Sequence, residues 1–141
     1  MGKKELARIP LFRIFFGTID IAVDRGSAVA SHKSMLKASE KLKAGYSIVI
    51  FPEGTIGKFA PKLKTFKNGA FKLAIENQVP VIPVTFYDNY YIMQDEKFEF
   101  YRRTLKYKVH RAEPTNSLKP EDSNKLKEKI FAIIEKDLIQ N

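Results

Sequence analysis

The chain has 141 residues, a net charge of +9, 44% hydrophobic residues and no cysteine. This length and composition fit one globular domain over residues 1–141 and exclude wholesale disorder, while the lack of thiols excludes disulfides, thiolate metal sites and a cysteine nucleophile. No apolar run approaches the ~18 residues of a membrane-spanning helix. The positive charge favours anionic partners, which include phosphorylated metabolites, anionic lipid surfaces and nucleic acid.

The first half of the chain alternates predicted strands and helices. Residues 18–23 predict a strand, and residues 31–44 predict a helix that Gly45 ends. Residues 47–51 are short, β-branched and apolar, which is typical of a strand buried on both faces of a parallel sheet. Residues 55–67 lack periodicity and hold several lysines, so we expect a loop there.

The alternation continues in the second half. Asn68 suits the N-cap of another helix, and Asn77 can end that helix in the left-handed conformation. Residues 81–86 predict a buried strand, residues 105–111 an edge strand, and Pro120 the first turn of a last helix. That helix has an apolar stripe of Leu126, Ile130, Ile134 and Leu138. The order predicts an α/β fold with a largely parallel central sheet flanked by helices, and such sheets bind ligands beyond the carboxyl ends of their strands.

The most informative motif is Phe-Pro-Glu-Gly-Thr at residues 51–55, directly after a predicted strand. Its proline and glycine favour a sharp turn that presents Glu53 at the rim of the sheet. Glu53 could bind a substrate hydroxyl or hold a partner arginine. It could equally be a solvated or salt-bridged glutamate in a strand-ending turn.

Two further groups suit an anion. Arg25 follows a predicted strand, and its planar guanidinium can bind two phosphate oxygens while Asp24 orients it, although a surface ion pair would give the same pattern. Lys67 precedes a predicted helix whose N-terminal N–H groups favour anions, but the neighbouring lysines could also be a solvated charge run. We expect His32 and His110 at the surface, because neither has a carboxylate nearby in sequence, and we expect no metal site.

Several of these motifs, in this order, resemble the blocks of the glycerolipid acyltransferases, closest to the bacterial 1-acyl-sn-glycerol-3-phosphate (lysophosphatidate) acyltransferases. The matching segments are Gly17 with residues 19–25, the Phe-Pro-Glu-Gly-Thr motif at 51–55, Phe-Lys-Asn-Gly-Ala-Phe at 66–71 and Val-Ile-Pro-Val at 81–84. The resemblance implies an enzyme that transfers an acyl group from acyl-CoA or acyl carrier protein to 1-acylglycerol-3-phosphate in phospholipid synthesis. It also implies a peripheral location on the cytoplasmic face of the membrane, with the acyl donor as co-substrate and no cofactor.

The resemblance also assigns roles to residues. Arg25 would bind the acceptor phosphate, Glu53 and Gly54 would position the acceptor, Lys67 would add positive charge, and Pro83 would shape the pocket floor. The full set of substrate-binding residues expected on this basis is Asp24, Arg25, Glu53, Gly54, Thr55 and Lys67.

The chain departs from the family in two ways. Ile56 occupies a position where the family usually has arginine. The catalytic His-x-x-x-x-Asp motif is absent, because the fifth residue after His32 is Lys37 and the fifth after His110 is Thr115. In the family that histidine is the general base and lies upstream. We therefore expect an N-terminally truncated fragment that has no catalytic residue of its own and is inactive alone.

A non-enzymatic alternative remains open at this point. Arg8, Arg13 and the lysines of the loop at residues 55–67 could dock a basic domain on an anionic membrane, with Phe12, Phe15 and Phe16 entering the interface. Nucleic-acid binding is not expected, because no recognised nucleic-acid module is visible.

Overall fold

The computed structural model describes seven stretches of the chain: residues 2–3, 22–23, 28–54, 62–87, 93–94, 99–100 and 104–140. Its strands, in chain order, are β1 (Gly2–Lys3), β2 (Ala22–Val23), β3 (Val84–Phe86), β4 (Met93–Gln94), β5 (Glu99–Phe100) and β6 (Tyr107–Val109). Its helices are α1 (Ala28–Lys43), α2 (Gly69–Glu76) and α3 (Ser123–Ile139), the last preceded by a 3-10 turn at Pro120–Asp122.

Helix α1 confirms the helix predicted at residues 31–44 and begins three residues earlier. Lys41 and Lys43 lie in its last turn, where positive charge offsets the helix dipole. Gly45 ends the helix with φ +86°, and the N–H groups of Gly45 and Tyr46 bind the carbonyls of Leu42 and Lys41, each at 3.0 Å. This is a Schellman cap, which requires a residue in the left-handed region and therefore favours glycine.

Both ends of α2 differ from the prediction. Asn68 precedes the helix but makes no side-chain cap. At the other end Asn77 has φ −98°, and the left-handed residue is Gln78 with φ 53°. The Asn77 side chain instead bridges two helices, because it accepts a hydrogen bond from Ser39 (2.7 Å) and donates one to the carbonyl of Leu73 (2.8 Å). This bridge holds Asn77 near the helical conformation and moves the cap one residue on.

The described strands form three two-stranded sheets. Strands β1 and β2 are parallel, whereas β3 pairs antiparallel with β6, and β4 pairs antiparallel with β5. Strand β6 confirms the edge strand predicted at residues 105–111. Among the described residues a largely parallel central sheet is not seen, and residues 47–51, which were predicted to lie inside it, form no strand. Ile48 and Ile50 are half-buried against the helices, while Phe51 is 58% exposed, so helices cover one face of this segment instead of both.

Strands β3 and β6 are separated in the chain by β4 and β5 but form an antiparallel pair, which we call the hairpin. This pair contains a bulge. Val84 pairs with Val109, and the carbonyl of Pro83 still accepts the N–H of His110 at 2.9 Å in the same register. Beyond that point Val81 pairs with Glu113 through two hydrogen bonds of 2.9 and 2.8 Å. Two residues, 111 and 112, therefore lie opposite the single residue Ile82, which defines a β-bulge.

The core lies between the helices and on one side of the hairpin. Its larger cluster joins α2 to α3 and consists of Phe66, Phe71, Ile75, Leu126 and Ile130. A smaller cluster joins α1 to α2 through Ala38 and Leu73, with Ile48 and Ile50 packed against it. Leu126 and Ile130 confirm the predicted apolar stripe of the last helix. Helices α1 and α2 thus fix the position of the turn that follows residue 51, because Ile48 and Ile50 pack between them.

Candidate functional site

The Pro-Glu-Gly corner is a closed turn held against the loop that precedes α2. The N–H of Gly54 donates to the carbonyl of Phe51 at 3.2 Å, which closes the turn. The returning loop adds two hydrogen bonds, from the N–H of Lys67 to the carbonyl of Pro52 (2.8 Å) and from the N–H of Lys64 to Glu53 Oε2 (2.9 Å). The corner and the loop therefore form one unit.

Gly54 is required here for two physical reasons. Its φ of +73° lies in the left-handed region, which costs an L-residue with a side chain about 1–2 kcal/mol. A Cβ at this position would lie 2.8 Å from Cε and 3.2 Å from Nζ of Lys67. The Lys67 side chain therefore runs directly across the face of Gly54, and its ammonium group lies close to the corner.

Lys67 also directly precedes Asn68, the residue at the N-terminal end of α2. The Asn68 side chain donates to Ser123 Oγ at 3.0 Å and so joins the start of α2 to the start of α3. Among the described residues, the buried Oδ1 of Asn68 accepts no hydrogen bond. The first N–H groups of a helix have no intrahelical acceptor, so this end of α2 adds partial positive charge to that of Lys67.

The structure brings together three of the six substrate-binding residues predicted from the sequence. Glu53, Gly54 and Lys67 form the corner. Asp24, Arg25 and Thr55 lie outside the described residues, and so does Ile56. Glu53 is not merely solvated, because one of its oxygens organises the loop through the N–H of Lys64; whether it also holds an arginine stays a prediction, since Arg25 lies outside the described residues.

A buried polar cluster was missed by the sequence reasoning. Asp137 of α3 is 4% exposed and accepts hydrogen bonds from Tyr87 and Lys108, which lie on the hairpin. His110 was expected at the surface, but only 13% of its side chain is exposed and its Nε2 lies 2.8 Å from Thr85 Oγ1 and 3.5 Å from Asp137 Oδ2. His32, in contrast, is exposed as predicted.

The pKa values in this cluster follow from its hydrogen bonds. The hydrogen bond from Lys108 to the Asp137 carboxylate, followed by that from Tyr87, holds the pKa of Asp137 below its ordinary value. The same carboxylate raises the pKa of Tyr87 to about 12, because an ionised phenol could no longer donate to it. The cluster therefore keeps Asp137 charged and Tyr87 protonated, which fixes the end of α3 to the hairpin.

This cluster does not replace the missing catalytic motif. In a Ser-His-Asp arrangement the carboxylate binds Nδ1 and the hydroxyl binds Nε2, whereas here both partners approach Nε2 of His110. Asp137 also lies about 14 residues, or about 21 Å, along α3 from Ser123, the residue that contacts the start of α2. His110 and Asp137 are therefore too far from the corner to act on a molecule bound there.

One sequence signal could have identified Asp137. The buried positions of α3 recur at helical spacing through Leu126 and Ile130, and position 137 continues the same face seven residues later. A carboxylate on an apolar stripe requires a buried partner, and Tyr87 and Lys108 supply it. The partners themselves carry no local signal, because they come from a distant hairpin.

The described residues hold little else that could form a site. A surface depression of about 540 Å³ lies at the hairpin bulge, but its Glu113 and Lys129 form an ion pair that offsets the charge of each. Within the described ranges no three His, Asp or Glu side chains converge as metal ligands. None of the described helices combines the length and apolarity that a bilayer span requires.

Comparisons with known proteins bear on the corner directly. The model of the Acyltransferase family matches residues 1–87, a range that contains all six predicted substrate-binding residues. The chain is 40% identical over 86 residues to the 1-acyl-sn-glycerol-3-phosphate acyltransferase of Haemophilus influenzae, a match that covers 60% of this chain and 35% of that protein. It is 32% identical over 103 residues to the Helicobacter pylori protein of the same name, covering 72% of this chain and 44% of the relative.

A solved structure gives the fold. The 1-acyl-sn-glycerophosphate (LPA) acyltransferase PlsC from Thermotoga maritima matches 99% of this chain and 54% of its own chain, with a TM-score of 0.82 and 22% sequence identity. The chain thus has the PlsC fold over the part that it matches, and it spans 35% and 44% of the two curated relatives named above. Since the family model extends over more than half of its residues, the chain belongs to the acyltransferase family.

Proposed function

We propose that this chain forms the acceptor-binding part of a 1-acylglycerol-3-phosphate acyltransferase, which transfers an acyl group from acyl-CoA or acyl carrier protein in phospholipid synthesis. The observation that carries the proposal is the placement of Lys67 across Gly54, beside Glu53 and at the start of α2. The relatives from Haemophilus influenzae and Helicobacter pylori support the choice of acceptor, since both are named as 1-acyl-sn-glycerol-3-phosphate acyltransferases.

The corner suits a phosphate monoester for electrostatic reasons. Lys67 supplies a full positive charge, and the first turn of α2 supplies unpaired N–H groups. Glu53 is partly occupied by the N–H of Lys64, so its role is to hold the loop as well as to orient an acceptor hydroxyl. Arg25, with Asp24 and Thr55, would complete the phosphate site, as the family resemblance implies.

The chemical step requires a group that this chain lacks. The acceptor hydroxyl loses its proton to a base, its oxygen bonds to the acyl carbon, and the thioester C–S bond breaks so that the thiol carries away the proton. The sequence has no His-x-x-x-x-Asp motif to supply that base. Losing a general base costs about 10²–10⁴-fold in rate, so we expect the chain alone to be inactive.

The finer points of architecture and location belong to the same proposal. Residues 1–141 would be a single domain without the first catalytic motif, and the parallel pair β1–β2 supports a largely parallel central sheet. The net charge of +9 supports a peripheral position on an anionic cytoplasmic membrane face. Membrane docking without enzymatic activity remains the alternative; its residues between Arg8 and Phe16 lie outside the described ranges, while its loop lysines at 62, 64 and 67 are described and exposed.

Binding of sn-glycerol 3-phosphate, measured by calorimetric titration, tests the acceptor site. Lys67→Gln should weaken binding about 10- to 100-fold, which corresponds to the 1.5–3 kcal/mol of a hydrogen bond to a charged group. Lys72→Gln is the matched control, because Lys72 is an exposed lysine of α2, the helix that follows Lys67. Equal affinities of the two variants for sn-glycerol 3-phosphate would show that the corner is not the acceptor site.

Acyl transfer from acyl-CoA to lysophosphatidate tests the second half of the proposal. The chain alone should show no turnover above background, and appending an upstream segment that bears the His-x-x-x-x-Asp motif should restore it. Robust acylation by these 141 residues would contradict the assigned need for that motif.

A further inference from the structure

The hairpin of β3 and β6 has two unlike faces. Side chains alternate across a strand: Pro83 and Thr85 are buried, and His110, which contacts Thr85, is turned towards Asp137 of α3. The residues between them face the other way. We call the set Ile82, Phe86, Tyr107 and Val109 the outer face, and these side chains are 55%, 38%, 62% and 59% exposed.

The outer face is a continuous apolar surface. Phe86 pairs with Tyr107 across the two strands, and their ring centroids are 6.1 Å apart. Ile82 and Val109 extend the surface along the same two strands. Exposed apolar patches of this kind mark interaction sites, and α/β folds normally cover both faces of their sheet with helices.

The comparison with PlsC indicates what is available to cover it. That structure matches 99% of this chain, but the match accounts for only 54% of PlsC. Nearly half of a protein with this fold is therefore polypeptide without a counterpart among these 141 residues. Helix α3 packs against the opposite side of the hairpin, and Val81 joins the core cluster between α2 and α3 on that side, so these helices leave the outer face to another layer.

We propose that the outer face is the docking surface for a polypeptide layer with an apolar face, equivalent to the part of the acyltransferase fold that this chain does not match. Burial of Tyr107, Val109, Phe86 and Ile82 would remove four large apolar side chains from water, which is the dominant favourable contribution to most protein association. The inference stands on exposure and fold coverage, so it holds whether or not the corner binds a phosphate.

Thiol labelling tests the proposal cleanly because the chain contains no cysteine. Val109→Cys places one thiol on the outer face. Leu36→Cys is the matched control, since Leu36 is 52% exposed on α1, in the helical layer. Each variant would be labelled with a maleimide alone and after co-expression with the portion of the Haemophilus influenzae relative that lies outside its match to this chain.

The expected result is a co-purifying complex in which the Val109→Cys thiol reacts about tenfold more slowly than in the chain alone, a protection set by the binding free energy. The Leu36→Cys thiol should change by less than about twofold. Failure to co-purify, or equal protection at both sites, would overturn the proposal.

Two other occupants give distinct results, and each of them also overturns it. Protection of Val109→Cys in the chain alone that increases with protein concentration would identify a second copy. Protection that appears only with phosphatidylglycerol vesicles would identify a lipid surface. A Val109→Asp variant provides a second measurement, because it should abolish co-purification while Leu36→Asp should preserve it.

Discussion

Replacing Gly54 by alanine separates two physical demands on the same residue, and Gly45 provides the control. Both glycines have positive φ, +73° at Gly54 and +86° at Gly45. A Cβ at Gly45 would meet nothing within 4 Å, whereas one at Gly54 would lie 2.8 Å from Cε of Lys67. The two substitutions therefore share backbone strain and differ in the contact with Lys67.

The magnitudes follow from these geometries. The left-handed conformation costs alanine about 1–2 kcal/mol, and the reduced entropy of the unfolded chain returns about 0.4–1 kcal/mol, so each variant should lose about 1 kcal/mol of unfolding free energy. At Gly54 the Lys67 side chain must also rotate away, because its backbone is anchored to the carbonyl of Pro52 at 2.8 Å. Losing the ammonium from the corner should weaken glycerol 3-phosphate binding about 10-fold or more.

Urea denaturation and calorimetric titration measure the two effects independently. Gly45→Ala should lose stability with unchanged affinity, while Gly54→Ala should lose a similar amount of stability and most of its affinity. If both variants bind the ligand equally well, the close approach of Lys67 to Gly54 has no role in binding and the reasoning fails.

The remaining predictions concern the core and the polar cluster. Ile130→Ala should lower the free energy of unfolding by about 2–5 kcal/mol, because Ile130 is 3% exposed, whereas Ile139→Ala, at 79% exposure, should change it by under about 0.5 kcal/mol in urea titrations. Since the folded pKa of Asp137 is lowered, its contribution to stability is present above its unfolded pKa and is lost as the pH falls through the folded one. Asp137→Asn should therefore flatten the acid limb of a stability–pH profile below about pH 4, and an unchanged limb would count against the cluster. Tyr87, whose pKa is raised to about 12, contributes in the opposite direction, so Tyr87→Phe should flatten the loss of stability between about pH 10 and 12, observed by circular dichroism.

The sequence predicted the local features of this fold well and the non-local ones poorly. Gly45 ends α1 as expected, because a Schellman cap depends only on neighbouring residues. The bridge from Asn77 to Ser39 spans 38 residues, and it moved the cap of α2 to Gln78. Such tertiary contacts override local preference and leave no trace in a window of sequence.

The candidate site shows the same division. The Pro-Glu-Gly turn and the following helix were predicted from composition and spacing, but the packing of Lys67 on Gly54 depends on how the intervening loop returns. The burial of His110 was missed because its carboxylate, Asp137, lies 27 positions further along the chain. Long-range polar pairs can be inferred only when one member breaks an apolar pattern, as Asp137 does.

The bulge in the hairpin has a consequence for which residues lie inside the protein. Before it, even-numbered residues of the second strand, such as Lys108 and His110, are turned towards α3. After it, the parity inverts, and Thr115 becomes fully buried with its hydroxyl donating to the carbonyl of Val79 at 2.9 Å. The extra residue thus changes the inward-facing set from even-numbered to odd-numbered residues. Deleting either residue opposite Ile82 would remove the bulge but keep the pairing of Val81 with Glu113, so Thr115 would stay buried while the strand lost the local bend that a bulge imposes.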